Sequence, residues 1–458
     1  MMASVGDCVE LAFSDLARDG RGIGRSGDAV VFVAGGLPGE RARVRLTRRR
    51  RNHFEGRLDT LLERSPQRRR PPCILADHCG GCSLQELSDS AQRLWKQQHI
   101  EQSLRRLGSL QGSVRPLLGS ARDLGYRNRA LIPLEIAADG QLRAGYYRRG
   151  SHRIVNMNRC PVLDPRLDAL IAPLKGDLEA SGWPVDRHGT HPDGGLRHLG
   201  LRIGTHSGET LITLIASHDR LPGLEDLARG WMDRWPAVVG VTLNLQIQAS
   251  NVLLGPETRT IRGQGWLSDR FAGQTFRMAS DTFFQVNSPQ AERVVPALLE
   301  GLGPARGELV DAFCGIGTFS LPLAAEGWNV LGLEIQQTAV DLARTNARIN
   351  GLETRCRFEQ GTAAERLQPL MAGDHGGEGP PAALLLDPPR KGLDGASLEA
   401  ILRAPPSTLL YLSCDPGTLA RDLGALCGEG PYRMRWLQPF DFFPQTTHVE
   451  ALAVLDRV

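Results

Sequence analysis

No stretch of this 458-residue chain approaches the ~18 consecutive apolar residues of a membrane helix, so a helical membrane protein is excluded. Residues 1–10 have neither the basic start nor the apolar core of a secretory signal, and the expected compartment is the cytoplasm. An even cysteine set is also missing. There are nine, and an odd number in a chain of this character argues against a disulfide framework. No internal repeat is found. Net charge is only +3. Apolar residues are not scarce: 41% hydrophobic content supports real cores. The length suits two to four domains at ~150 residues each.

The charge is small in sum but uneven. Residues 41–70 hold twelve Arg against Glu55, Asp59 and Glu63, with unbroken runs at 48–51 and 68–70. Such a patch neutralises phosphates and points to nucleic acid. Around it, residues 6–64 read as short strands: 29–33, 40–46 and 54–62, with glycine turns at 19–20, 35–36 and 38–39. A small β-barrel of the oligonucleotide-binding kind is expected. After a basic, proline-bearing linker at 65–72, the period becomes helical over 85–108, with Leu87, Leu94, Ile100, Leu104 and Leu107 read as one face. Residues 119–284 look strand-like. From Pro289 strands and helices alternate, the pattern of a doubly wound parallel sheet, and 372–381 reads as a Gly/Pro-rich surface loop.

Cys73, Cys79 and Cys82 form C-x5-C-G-G-C, and Cys160, before Pro161, is the best candidate for a fourth thiolate. The options are zinc or an iron–sulfur cluster. The spacing fits neither the paired C-x2-C of a zinc ribbon nor the C-x3-C-x2-C of radical enzymes.

In the last third, an apolar strand ends at Asp311 and runs into Phe313-Cys314-Gly315-Ile316-Gly317. The next strand ends at Glu334, placed to accept both hydroxyls of a ribose. Ser320 stands where a dinucleotide fingerprint would have its third glycine, which favours S-adenosylmethionine over a dinucleotide. A third strand ends in Asp387-Pro388-Pro389-Arg390-Lys391-Gly392, a position that faces the transferred methyl group in this fold. Amino-group methyltransferases want an aromatic residue where Arg390 stands. A fourth strand delivers Ser413-Cys414-Asp415-Pro416. Carbon 5 of a pyrimidine is a poor nucleophile, and thiolate addition at carbon 6 makes it enolate-like, so carbon-5 methylation needs a cysteine such as Cys414. A base must then remove the carbon-5 proton. Glu450 is the first choice and His448 the rival.

These motifs, in this order, resemble the RNA (uracil-5-)-methyltransferase family over essentially the whole chain. The resemblance implies that the N-terminal barrel is a TRAM domain and that Cys73, Cys79, Cys82 and Cys160 hold a [4Fe-4S] cluster. It implies Cys414 as nucleophile and Glu450 as proton acceptor. It also implies cofactor contacts by Gln285, Phe313, Thr318, Glu334 and Asp387. Two positions depart from the family pattern, Thr318 and Gly361. The transfer RNA branch generally lacks barrel and cluster, so the chain looks like the 23S ribosomal RNA branch (RlmD type).

The resulting expectation is a multi-domain enzyme. It has a TRAM barrel at 1–66, a mixed α+β iron–sulfur domain at 67–84 and 117–282, and a Rossmann-like methyltransferase domain at 85–116 and 283–458. It would methylate carbon 5 of a uridine in 23S ribosomal RNA with S-adenosyl-L-methionine; the alternatives are a dual-site ribosomal RNA or transfer RNA uracil-5-methyltransferase, and a non-catalytic RNA-binding assembly factor. No membrane and no obligate protein partner are inferred. Arg127, Arg129, Arg148 and Arg149, with Tyr126, Tyr146 and Tyr147, are expected either to hold an unpaired RNA loop or, for the tyrosines, to fill the core.

Overall fold

Five strands close the N-terminal barrel: β1 (Cys8–Leu16), β2 (Gly22–Ser26), β3 (Ala29–Ala34), β4 (Arg41–Arg49) and β5 (His53–Glu63), in the order β1-β2-β3-β5-β4. The computed structural model describes residues 4–110, 112–187, 189, 194–248, 250, 252–372, 381–428 and 430–458. The loop expected at 372–381 falls, apart from its two ends, outside the described residues. In β4 the period of two is strict: Ala42, Val44 and Leu46 are buried, and Arg41, Arg43 and Arg45 face out. The inward set packs with Leu11, Phe13, Val31, Val33 and Phe54.

The chain divides into two compact units. The first holds the barrel and consists of Met1–Lys96, Tyr147–Arg153 and Phe443–His448. Here the cysteine loop is stapled to a distant segment: Gly80 N–H donates to the Tyr147 carbonyl (2.8 Å), and Arg149 Nη2 to that of Cys82 (2.7 Å). A Cβ on Gly80 would lie 2.9 Å from the Tyr147 oxygen, so only glycine allows this approach. Lys96 is fully buried, with Nζ donating to the Phe443 carbonyl at 2.9 Å.

The second unit consists of Gln97–Tyr146, Ile154–Phe442 and Val449–Val458. A six-stranded sheet holds β6 (Arg129–Ile136), β7 (Leu142–Ala144), β8 (Leu196–Ile203), β9 (Thr210–Ala216), β10 (Val238–Leu245) and β11 (Glu257–Gly263). Helices Pro165–Ala180 and Leu224–Arg234 accompany it; the strand-like reading of 119–284 did not include them. β12 (Trp266–Phe271) and β13 (Gln274–Ala279) form a hairpin. The second sheet contains β14 (Glu308–Asp311), β15 (Asn329–Glu334), β16 (Cys356–Gln360), β17 (Ala383–Leu386), β18 (Thr408–Ser413), β19 (Tyr432–Phe440) and β20 (Glu450–Arg457). Their order is β16-β15-β14-β17-β18-β20-β19. β14 to β18 run parallel, as the alternating pattern required, but β20 is antiparallel to both neighbours, so the sheet is mixed.

The helix expected over 85–108 spans Asp89–Leu107, and its reading needs correction. Leu94 and Leu107 are exposed, whereas Gln92, Trp95, Lys96, Ile100, Ser103 and Leu104 are buried. At 100° per residue Leu94 lies well around the helix from Ile100 and Leu104, so it never belonged to their stripe, and Leu107 is the last residue of the helix. Among the described residues no helix is long and apolar enough to cross a membrane.

Candidate active site

The strand order reverses between β14 and β17, the place where open α/β sheets bind ligands beyond their carboxyl ends. Asp311 and Glu334 end β14 and β15, Asp387 follows β17, and Cys414 follows β18. Glu450 opens β20. Ser413 pairs with Ala451 in the antiparallel ladder, so one step further brings Cys414 and Glu450 opposite each other at that same edge.

These groups perturb one another. Burial pushes the Cys414 thiol up to about 12, with Glu450, Asp387 and Asp415 adding and Arg390 opposing. Glu450 is pushed up to about 8 by burial and then by Asp387, again against Arg390. Asp387 is pushed up to about 7 by burial and then by Asp311. Asp311 reaches about 6 through burial, opposed by the Ser320 hydroxyl and the Phe313 N–H, with Glu334 adding. Glu450 is only 6% exposed, and among the described residues no hydrogen bond reaches its carboxyl group or that of half-buried Asp387. Desolvated carboxyls crowded at one edge favour their neutral forms.

Cys414 sits on a strand-to-helix corner fixed by its neighbours. Asp415 caps helix Pro416–Cys427, its Oδ1 accepting from Gly417 N–H (2.9 Å) and Thr418 N–H (3.0 Å). A helix N-terminus favours a thiolate, but burial and the carboxyl groups outweigh it here. Arg390 is the residue sequence reasoning missed as part of the site. It was read only as a non-aromatic residue, and its place three residues after Asp387 was the one signal. Its loop is strapped to the Cys414 helix: Thr418 Oγ1 donates to the Arg390 carbonyl (3.2 Å), and Arg421 Nη2 to that of Lys391 (3.0 Å). Buried Asp422 accepts from Leu393 N–H (3.0 Å) and Tyr411 Oη (2.6 Å). Gly392 turns at φ +74°, and a Cβ there would meet Asp422 at 2.5 Å.

The glycine turn suits a nucleoside ligand. Gly315 and Gly317 have φ of +55° and +87°, and a Cβ on Gly315 would enter open space. Glu334 accepts from Gly315 N–H (3.2 Å) and Gln336 N–H (2.9 Å). A carboxylate offers about four lone-pair positions, so about two remain for ribose hydroxyls. Ser320, in place of the third glycine, donates its hydroxyl to Asp311 Oδ2 (2.7 Å). Phe313 is half-buried against the core, and Thr318 and Gln285 are each 6% exposed. The Gln285 carbonyl accepts from Asn128 Nδ2 (3.0 Å).

Two groups of expected residues change role. Arg129 does not reach for RNA: its guanidinium donates to the Thr282 (3.2 Å) and Ser280 (2.8 Å) carbonyls. Buried Arg202 joins it on the Ala279 and Thr282 carbonyls. Tyr126 is 6% exposed, on the core side of its two readings. In the basic segment, Arg68 pairs with buried Glu40 (2.6 Å), and Arg69 with Asp89 (2.5 Å) and Gln445 (2.7 Å). Arg48, Arg49, Arg51, Arg57, Arg64 and Arg70 are exposed.

Of the four expected cysteine ligands, Cys73, Cys79 and Cys82 belong to the first unit and Cys160 to the second. Among the described residues no three His, Cys, Asp or Glu converge on a metal position. Cys73, Cys79, Cys82 and Cys160 are each half-buried. Burial raises Cys79, opposed by the Gly81 N–H, and Cys73 adds to it. The neutral form of Cys79 is therefore favoured, whereas a metal or cluster requires a thiolate. One feature does suit a cluster: N–H groups of Leu75 and Gly81 point at the sulfurs of Cys73 and Cys79, both at 3.4 Å.

The raised carboxyls carry a stability signature. The folded chain keeps protons on Asp387 and Glu450 that the unfolded chain releases near pH 4. Stability from these groups is complete below that value and is lost as pH rises through about 7 and about 8. Asp387→Asn removes one of the two contributions to this dependence. The expected result is a melting temperature that gains on the wild type from pH 5 to about pH 7 and levels above it; parallel melting curves against pH would refute the raised value.

Comparison with known proteins gives a consistent picture. A family model described as tRNA (Uracil-5-)-methyltransferase matches residues 257–458, and one described as the TRAM domain matches residues 3–58. The chain is 52% identical over 453 residues to an uncharacterized RNA methyltransferase of Parasynechococcus marenigrum (strain WH8102), covering 98% of this chain and 96% of the relative. It is 44% identical over 452 residues to one from Nostoc sp. (strain PCC 7120), with the same coverage. Among solved structures, the tRNA (uracil-54, C5)-methyltransferase of Pyrococcus abyssi, in complex with S-adenosyl-L-homocysteine, superposes with a TM-score of 0.75 at 25% identity. That match covers 98% of this chain and 100% of the other.

Proposed function

The chain belongs to the RNA (uracil-5-)-methyltransferase family, and from that premise we propose that it forms 5-methyluridine in 23S ribosomal RNA, with Cys414 as nucleophile and Glu450 as base. The observation that carries this reading is the facing pair Cys414 and Glu450 at the ligand edge of the sheet, both desolvated.

S-Adenosylmethionine would supply an electrophilic methyl group. Glu334, Asp387, Phe313, Thr318 and Gln285 are the residues that would hold it. Their fit rests on the open glycine turn, the spare lone pairs of Glu334 and the unbonded carboxyl of Asp387. Cys414 Sγ adds to carbon 6 of the uracil, and the electron pair released toward carbon 5 makes that carbon nucleophilic. Once carbon 5 is methylated, Glu450 removes its proton and the C6–S bond breaks, returning the cysteine. The resting thiol is neutral, so attack needs its proton removed. Arg390 is the cation that favours the thiolate.

A second substrate reading has its own support. The Pyrococcus abyssi enzyme acts on tRNA and matches over 98% of this chain, so a barrel-bearing architecture does not by itself separate ribosomal from transfer RNA. Mass-spectrometric mapping of 5-methyluridine in both RNA pools of a deletion strain tests the choice. Loss of one ribosomal site supports the first reading, and loss confined to transfer RNA replaces it with the second.

The three-part domain division at 66/67, 84/85, 116/117 and 282/283 belongs to this proposal, as does a [4Fe-4S] cluster on Cys73, Cys79, Cys82 and Cys160. Support for the cluster is the ligand spacing and the N–H groups aimed at two of the sulfurs. Anaerobically purified protein is expected to hold about four irons per chain, and Cys79→Ser to lose them. Stoichiometric zinc, or no metal, would sink the cluster.

A further inference from the structure

A cavity of about 590 Å³ lies in the second unit, outside the residues assigned to catalysis. This is ample for a nucleotide-sized ligand. Tyr126 forms part of its wall, Arg122 and Arg166 bring guanidinium groups, and His206 and Asn287 complete it. The charges there are not equivalent. Arg166 is tied to Asp164 through Nε (2.9 Å) and Nη2 (2.8 Å) and to the Thr205 carbonyl (2.9 Å). His206 meets Glu292 at 3.0 Å. Arg122 is exposed, and among the described residues its guanidinium makes no hydrogen bond. Arg122 is thus the guanidinium of this wall left without a hydrogen-bonded partner, although buried Asp164 lies within its electrostatic reach.

The cavity is also connected to the catalytic edge. Asn287, 2% exposed, follows Gln285 by two residues, and its Nδ2 donates to the Phe442 carbonyl (3.0 Å) and to Ser120 Oγ (3.2 Å). Phe442 lies two residues beyond Phe440, the strand partner of Glu450. Asn287 thus ties the cavity wall to the segment that follows the strand partner of Glu450.

We infer that the cavity takes one further unstacked nucleotide of the same RNA strand, with its phosphate on Arg122. The inference rests on the RNA-methylation reading. The alternative source of the same chemistry is a free nucleoside monophosphate. The guanidinium supplies charge, which gives sequence-tolerant affinity. A second captured nucleotide would hold the strand in register while the target base is out of its stack.

The test uses the full chain and single-stranded RNA pools of about twelve nucleotides, cross-linked by ultraviolet light, with adducts located by mass spectrometry. The expected result is a nucleotide adduct on the peptide containing Tyr126. It should fall about tenfold in Arg122→Glu, the scale of one lost phosphate contact, and return in Arg122→Lys. Arg122 is exposed and bonds to Ser120 only through its backbone, which the substitution leaves in place. Absence of that adduct, or its indifference to Arg122→Glu, overturns the inference. Its removal by excess free nucleoside monophosphates, with RNA still bound elsewhere, assigns the cavity to a free nucleotide instead. A covalent adduct of 5-fluorouridine RNA at Cys414 is scored in parallel. If it is missing while the Tyr126 adduct persists, the uridine reading fails and the cavity stands.

Discussion

Cys414→Ala is expected to abolish methyl transfer, a fall on the order of 10⁴-fold or more as for other lost covalent nucleophiles, while RNA affinity changes little. The side chain is half-buried, so a methyl group in place of the thiol leaves little void. Its corner is held by Asp415 through backbone N–H groups that the substitution does not touch. With RNA carrying 5-fluorouridine, the wild-type enzyme should stop as a covalent complex, because fluorine cannot leave as a proton does. The alanine variant should form none. Methylation by Cys414→Ala at a measurable fraction of the wild-type rate would remove it as the nucleophile. Because burial and the neighbouring carboxyls hold the free thiol up at about 12, alkylation of Cys414 in the free enzyme should be slow at pH 7. It should accelerate about tenfold per pH unit above that, as thiolate reactivity requires.

Glu450→Gln should separate the two halves of the reaction. An amide keeps the shape but cannot take the carbon-5 proton, so turnover should fall ~10²–10⁴-fold, the usual contribution of a positioned base. Thiolate attack and methylation precede that step and should survive. The result is a covalent RNA–enzyme complex that accumulates on unmodified uridine and is visible as a shifted band under denaturing conditions. Wild-type turnover in Glu450→Gln would transfer the role to His448 or to water. Glu450 is pushed up to about 8, so the free enzyme is largely protonated there at pH 7. Activity governed by this base should accordingly rise with pH up to about 8 and then level. A rate that falls over pH 6–8 would contradict it.

Much of the catalytic half was legible in the sequence because its signals are local. Short apolar runs ending in Asp311, Glu334, Asp387 and Cys414 mark parallel strands whose carboxyl ends carry chemistry, and β14, β15, β17 and β18 lie within a residue or so of those runs. The barrel was legible for the same reason: alternation in β4 is a property of successive residues. What tertiary structure alone decided depends on residues far apart in the chain. Arg390 became the cation of the site only when Thr418, Arg421 and Asp422 strapped its loop to the Cys414 helix. Arg129 was read as an RNA contact and proved to be a clamp, because its partners are carbonyls some 150 residues away. The leucines of helix Asp89–Leu107 were misread because which side of a helix is buried is set by what packs there. The raised acidities of Asp387 and Glu450 follow from desolvation at a shared sheet edge. Composition and spacing do not encode that property; it exists only once the antiparallel β20 sets Glu450 across from Cys414.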